Sequence, residues 1–178
     1  MQISGIMLKN IFSKSNQPKL DLPINEKEKF TAIAGWLMLT GMLVYTGVSF
    51  GSLPESIPTH FGPSGTPDDF GGKWSIWIMP LIAFLLTAML TLLTRYPHTF
   101  NYLITITPEN AEYQYRLARM LLYWLTIFIN LLFSLIQHST IQVAFGQSEG
   151  LDMYTMIFAM LGNLVILIVY LIKSGQGK

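Results

Sequence analysis

TAIAGWLMLTGMLVYTGVSF, residues 31–50, contains no Asp, Glu, Lys or Arg. A helix needs about 20 mostly apolar residues to cross a hydrocarbon core. The same reading applies to residues 75–94, 120–140 and 153–172, which also lack acids, lysines and arginines. A helix on a soluble surface would be interrupted by polar residues every turn, and these are apolar nearly all round. The whole chain is 51% hydrophobic and only 12% charged, about half the charge of a soluble domain. The charges gather between the four runs, as they must when a charge at the bilayer centre costs about 3 kcal/mol. The sequence therefore predicts an all-α, polytopic membrane protein with four transmembrane helices and a structured extracytoplasmic loop between the first and second. Residues 1–30 form an N-terminal cytoplasmic segment and 31–178 the four-helix membrane domain, with an outer loop over 51–74 and a cytoplasmic loop over 95–119.

Lysine and arginine set the orientation. Lys9, Lys14, Lys19, Lys27 and Lys29 precede the first run, Arg95, Arg116 and Arg119 lie in the middle loop, and Lys173 and Lys178 follow the last run. With the N-terminus inside, ten of the eleven basic residues are cytoplasmic and Lys73 alone is outside, as the positive-inside rule requires. A multi-pass cell-membrane protein with both termini in the cytoplasm is expected. Trp36, Tyr96, Tyr123, Trp124 and Tyr170 fall at the inner boundary, and Phe50, Trp74, Trp77 and Tyr154 at the outer one. No run of signal-peptide type precedes the lysines, so the first span is expected to stay as an anchor. Residues 3–12 read as a frayed terminus or as a segment lying on the membrane surface.

Several function classes are disfavoured early. A net charge of +1 offers no basic face for nucleic acid. The absence of cysteine removes thiolate metal sites, disulfides and cysteine nucleophiles. There is no His-Glu-x-x-His motif, phosphate-cradling glycine loop or nucleophile elbow, so no enzyme and no cofactor is expected.

The outer loop reads LPESIPTHFGPSGTPDDFGGKW over 53–74. Its prolines bias their predecessors to extended backbone and its glycines permit turns. Leu53, Ile57, Phe61 and Phe70 are too apolar for a linker, so a compact loop folded onto the helix ends is expected. The polar groups are His60, Asp68, Asp69 and Lys73. They can form a recognition surface with Phe61, a metal site, or a pH sensor at His60. The bland alternative has Asp68 closing a turn and Lys73 anchoring at the headgroups. One histidine and two adjacent carboxylates are no specific metal signature, and no metal is expected. His138, near the outer end of the third span, can approach His60 or face water.

The run Leu53-Pro54, Ile57-Pro58-Thr59-His60-Phe61, Gly65-Thr66-Pro67-Asp68, Gly71, Lys73-Trp74 and Pro80 resembles the domain of unknown function numbered 1648. So does Phe100-Asn101-Tyr102 with Thr107, Glu109-Asn110-Ala111 and Gln114-Tyr115-Arg116-Leu117. That domain occurs in prokaryotic membrane proteins, including SdpI-type immunity proteins, which protect a producing cell from its own toxin and signal the toxin's presence inward. The resemblance covers about 31–125 and implies membrane architecture and an SdpI-like immunity role. The chain departs from the pattern after its third span, where it has fewer spans than those proteins.

Within the spans, Thr126, Asn130, Ser134 and Gln137 recur every three or four residues on one helix face. Thr87, Thr91 and Thr94 do the same in the second span, and Asn163 sits beside Gly162 in the fourth, with Ala159 near on the same side. Polar faces in a bilayer turn toward other helices, with each hydrogen bond contributing about 0.6–2 kcal/mol. The alternative is a hydrated small-molecule path. Gly47 and Gly51 read as a close helix contact. Asn25 and Glu28 have capping-box spacing, and Thr107-Pro108-Glu109 reads as the start of a helix running unbroken into the third span. Glu112 and Arg116 can pair across one turn; the pair Glu109 and Glu112 is the weaker, catalytic alternative. Glu109, Asn110, Glu112, Arg116 and Arg119 then form a cytoplasmic docking or reporting helix. The leading expectation is a protein that binds or senses at its outer face, with the lipid bilayer and a peptide toxin or membrane protein as partners. The other two expectations are an accessory or scaffold subunit of a larger membrane complex and a small-solute channel.

Overall fold

The computed structural model describes residues 17–176. Lys9, Lys14, Lys178 and the surface-segment reading of 3–12 lie outside the described residues. Four helices carry the fold: α1 (Glu26–Phe50), α2 (Ile78–Leu93), α3 (Ala111–Ala144) and α4 (Met153–Gln176). With the 3₁₀ turn Lys73–Trp77 leading into α2, each is long and apolar enough to cross a membrane. The chain is an integral, multi-pass membrane protein.

α1 opens with a reciprocal cap. Asn25 Oδ1 accepts from the Glu28 amide and Glu28 Oε2 accepts from the Asn25 amide, both at 2.9 Å. Two donors that the helix itself cannot satisfy are thereby paired. α3 begins three residues later than the Thr107 cap expected from sequence. Asn110 is the residue before the helix; its Oδ1 accepts from the Thr107 amide at 2.9 Å and its amide donates to the Thr105 carbonyl at 3.1 Å. Pro108 and Glu109 therefore shape the turn ahead of the helix. From Ala111 the helix is unbroken for 34 residues, about 50 Å. That exceeds a hydrocarbon core of about 30 Å, so roughly two fifths of α3 projects beyond the hydrocarbon core.

α3 is the central post, with α1, α2 and α4 each packing along it. The close α1–α3 approach occurs at Gly35, where an added Cβ would lie 3.1 Å from Thr126 Cγ2. At Gly162 on α4 an added Cβ would run into the Phe128 ring. The expected Gly47 and Gly51 contact is not where helices meet closely. Gly47 has only the Trp77 ring nearby, at 3.8 Å, and Gly51 faces open space. α4 packs chiefly on α3 and leaves most of its apolar surface exposed.

The expected structured loop between the first two spans is present and includes the one sheet among the described residues. It contains an antiparallel hairpin, β1 (Ser56–Phe61) and β2 (Pro67–Gly72), with Ile57 opposite Gly71 and Pro58 opposite Phe70. Four prolines argue against a central strand. A two-stranded ribbon has only edges, so Pro58 and Pro67 can sit where no ladder amide is needed. Ile57 is fully buried with Leu53, Ile76 and Ile141, pinning the hairpin onto the ends of α2 and α3. A second cluster of Leu39, Met42 and Ala83 lies deeper between α1 and α2.

Candidate functional site

The hairpin displays its polar groups. His60 Nδ1 lies 2.5 Å from Asp68 Oδ1, with side chains 67% and 51% exposed. Asp69 Oδ2 accepts from Thr59 Oγ1 at 2.9 Å, and Lys73 Nζ donates to Glu55 Oε1 at 2.8 Å. Phe61 is half-buried at the turn and Phe70 is exposed. Asp68 thus belongs to a strand and pairs with His60; it does not close a turn. The turn is closed by backbone bonds, from the Gly62 amide to the Thr66 carbonyl and from the Gly65 amide to the Gly62 carbonyl, each 2.9 Å. Lys73 is tied to Glu55 and lies over the Phe50 ring at 5.7 Å from its centre.

The turn is also docked on the α3–α4 connection. The Leu151 amide donates to the Gly65 carbonyl at 2.8 Å. Gly65 has φ +83°, and an added Cβ would lie 2.9 Å from the Leu151 carbonyl. Just beyond, Asp152 caps α4 by accepting from the Thr155 amide and hydroxyl, and those bonds hold its carboxyl below the ordinary range. Replacing Gly65 with alanine is expected to cost more than the ~1–2 kcal/mol of left-handed backbone, because the docking contact is lost as well. Gly146 has φ +68° but open space around it, so Gly146→Ala should show the backbone cost alone. Equal thermal shifts for the two variants in detergent would contradict docking of the turn.

Inside the spans, Asn130 is fully buried at the meeting of three helices. Its amide donates to the Gly35 carbonyl at 2.9 Å and to Thr87 Oγ1 at 3.0 Å. Gln137, about two turns nearer the hairpin, donates to Thr46 Oγ1 at 2.9 Å and to the Ile76 carbonyl at 3.0 Å. Thr126 and Ser134 turn their hydroxyls back to their own helix, to the Leu122 and Asn130 carbonyls. Toward the other end, the Tyr123 hydroxyl reaches Thr94 Oγ1 at 3.3 Å. Asn163 does not join this network. It lies exposed on α4, because α4 turns Gly162 and not Asn163 toward α3. Tyr45 Oη lies 3.0 Å from His138 Nδ1, so each histidine, His60 and His138, has its own partner. Among the described residues, no three His, Asp or Glu side chains gather as a metal site.

The third cluster lies at the end opposite the hairpin. Glu28, fully buried, faces two arginines of α3: Arg119 Nε lies 3.2 Å from its Oε1 and Arg116 Nη1 3.4 Å from its Oε2. Arg116 also donates to Glu112 Oε1 at 2.9 Å and to the Pro23 carbonyl, and Arg119 to the Leu22 carbonyl. The Tyr115 hydroxyl donates to the Pro18 carbonyl. Together these bonds strap the extended segment before α1 across α3. On the other side of α3, Gln114 exchanges bonds with Ser174, and Tyr113 donates to the Lys173 carbonyl. Glu109 stands apart and exposed; the Thr107 hydroxyl lowers its pKa. The catalytic-pair alternative is not supported, since Glu112 is bound to Arg116. Sequence reasoning missed Glu28 as the partner of both arginines because the capping box already accounted for it. The available signal was an acid on the bundle-facing side of the first span together with two basic residues three apart on one α3 face.

The second half of α1, the hairpin and the start of α2 form a continuous segment, and it is this segment that matches a known family. Residues 37–84 match the model of DUF1648, a domain of unknown function. The chain carries a DUF1648 domain. Its borders enclose Leu53, Ile57 and Ile76, which seat the hairpin, and stop short of α3. An uncharacterized protein of Archaeoglobus fulgidus is 29% identical over 87 residues, 44% of this chain and 48% of the relative. The chain thus spans about half the length of that relative. No solved structure matches. The DUF1648 segment supplies the displayed His60 and Asp68, while the polar face of α3, Glu28 and its arginines lie outside it.

Proposed function

We propose that this protein recognises a ligand at the outer face of the cell membrane through its DUF1648 hairpin, with SdpI-like immunity to an envelope-active peptide as its physiological form. In this reading both termini are cytoplasmic, and the protein is neither an enzyme nor a cofactor carrier. One observation carries the proposal. The hairpin backbone is fixed from below by Ile57 and by the Gly65–Leu151 bond, yet its His60 and Asp68 side chains are more than half exposed. Even as an ion pair, an exposed contact of this kind would contribute only about 0–1 kcal/mol to stability. A rigid support presenting polar groups and Phe70 is better explained by binding than by folding. α3 supplies a route inward, since one unbroken helix touches the hairpin at Ile141 and holds Glu28 through Arg116 and Arg119.

A second reading, accessory or scaffold subunit of a membrane complex, is favoured by α4, whose apolar faces are largely bare. A solute path has less support, because Asn130 and Gln137 are engaged in bonds between helices.

The test is survival of cells with and without the protein under a panel of membrane-active peptides. His60→Ala and Asp68→Ala should remove protection at normal membrane abundance. Protection that persists in both variants would move recognition away from the hairpin. Protection from no peptide, with a membrane protein co-purifying in fixed ratio, would favour the accessory-subunit reading.

A further inference from the structure

We propose that the groove between α4, α3 and the start of α1 binds one anionic phospholipid, with its head group held by Lys27 and Lys173. The proposal requires only that the helices span a bilayer, and it is independent of the hairpin's role.

The groove is about 410 Å³ and lies at the end of the bundle away from the hairpin. Its walls are apolar: Leu121 and Trp124 on α3, Val165 and Val169 on α4. Its mouth is polar, with Asn25, Lys27 and Lys173. The two lysines share a level. Lys27 adjoins Glu28, which meets Arg116, while the Lys173 carbonyl accepts from Tyr113 at 3.1 Å. Trp124 is deeper, about 16 Å along α3 from Tyr113. Polar mouth and apolar depth therefore follow the order of head group and acyl chain.

Charge selects the occupant. Both lysines are exposed and neither has an acidic partner among the described residues. No acid lines the groove, and the neighbouring Glu28 is already held by two arginines. Two unpaired ammonium groups over a greasy slot between spanning helices suit a phosphate-bearing lipid without a compensating cation. Tyr170, also lining the groove, adds an amphipathic ring at its edge.

The experiment is native mass spectrometry of the full chain in neutral detergent. Phosphatidylglycerol is titrated against phosphatidylcholine of the same acyl chains. Wild type should retain one phosphatidylglycerol and no phosphatidylcholine. Lys27→Gln with Lys173→Gln should weaken retention about 30-fold, from roughly tenfold or less per lysine near a head group. Val169→Trp, which fills the groove without changing charge, should also weaken it. Lys19→Gln with Lys29→Gln, the same charge loss elsewhere, should leave it unchanged. Equal retention of both lipids, undiminished binding by the double Lys27 and Lys173 variant, or a dimer that excludes lipid would each overturn the proposal.

Discussion

Arg119→Ala is expected to destabilise the protein by about 3 kcal/mol, the low end of the cost of breaking a buried pair, because Glu28 then keeps only the more open Arg116 at 3.4 Å. Glu28 is fully buried and the Arg119 side chain is 7% exposed, so water cannot replace the lost guanidinium. Glu28→Gln separates charge from capping. Glutamine can still bond the Asn25 amide, so a large loss in this variant would come from the unpaired arginine. Arg116→Ala should cost far less, about 1 kcal/mol, because Arg116 is more open and its Glu112 partner is 62% exposed. Replacing Glu28 and Arg119 together with apolar residues of similar volume should recover much of the single-variant loss. Unfolding in mixed micelles gives all four values. Similar, small losses for Arg119→Ala and Arg116→Ala would show that the Glu28 pair is solvated and does not lock the strap to α3.

The second large effect is expected at Asn130. Asn130→Leu keeps the branching of the side chain while removing the bonds to Gly35 and Thr87, and should cost about 1–2 kcal/mol in a bilayer-like medium from the lost bonds. Thr87→Val should cost less, since it leaves the Gly35 bond intact. The double variant should lose less than the sum of the two, the sign of a shared bond. Strict additivity would mean that Thr87 and Asn130 do not interact in the membrane. Gln137→Leu is the parallel case nearer the hairpin, where Thr46 and the Ile76 carbonyl lose their donor.

The spans were legible because a bilayer imposes one strong rule, about 20 apolar residues without charge. The inward face of α3 was legible for a related reason: Asn130 and Gln137 are too polar to face lipid, and helical spacing joins them. What the sequence hid depends on contacts between distant segments. Nothing local to Gly35 says that Thr126 presses against it, whereas Gly47 and Gly51 have the small-residue spacing and no such neighbour. Asn163 looked like Asn130 in composition. It is exposed because α4 meets the bundle along one side only, a tertiary fact. The hairpin was hidden by its prolines, which forbid a central strand and tolerate a ribbon made wholly of edges. The His60–Asp68 pair depends on a register shift, since His60 stands opposite Asp69 and Asp68 is the extra residue before Phe61 meets Pro67, and sequence spacing alone does not reveal that shift.

The most direct test of outward recognition is where the hairpin sits in a living cell. The chain has no cysteine, so single cysteines can be placed without background. Ser64 is exposed at the hairpin turn and Gly175 is exposed near the end of α4. A membrane-impermeant maleimide applied to intact cells should label Ser64→Cys and should reach Gly175→Cys only after permeabilisation. Labelling of Gly175→Cys in intact cells, with Ser64→Cys protected, would turn the hairpin inward and contradict recognition of any ligand outside the cell.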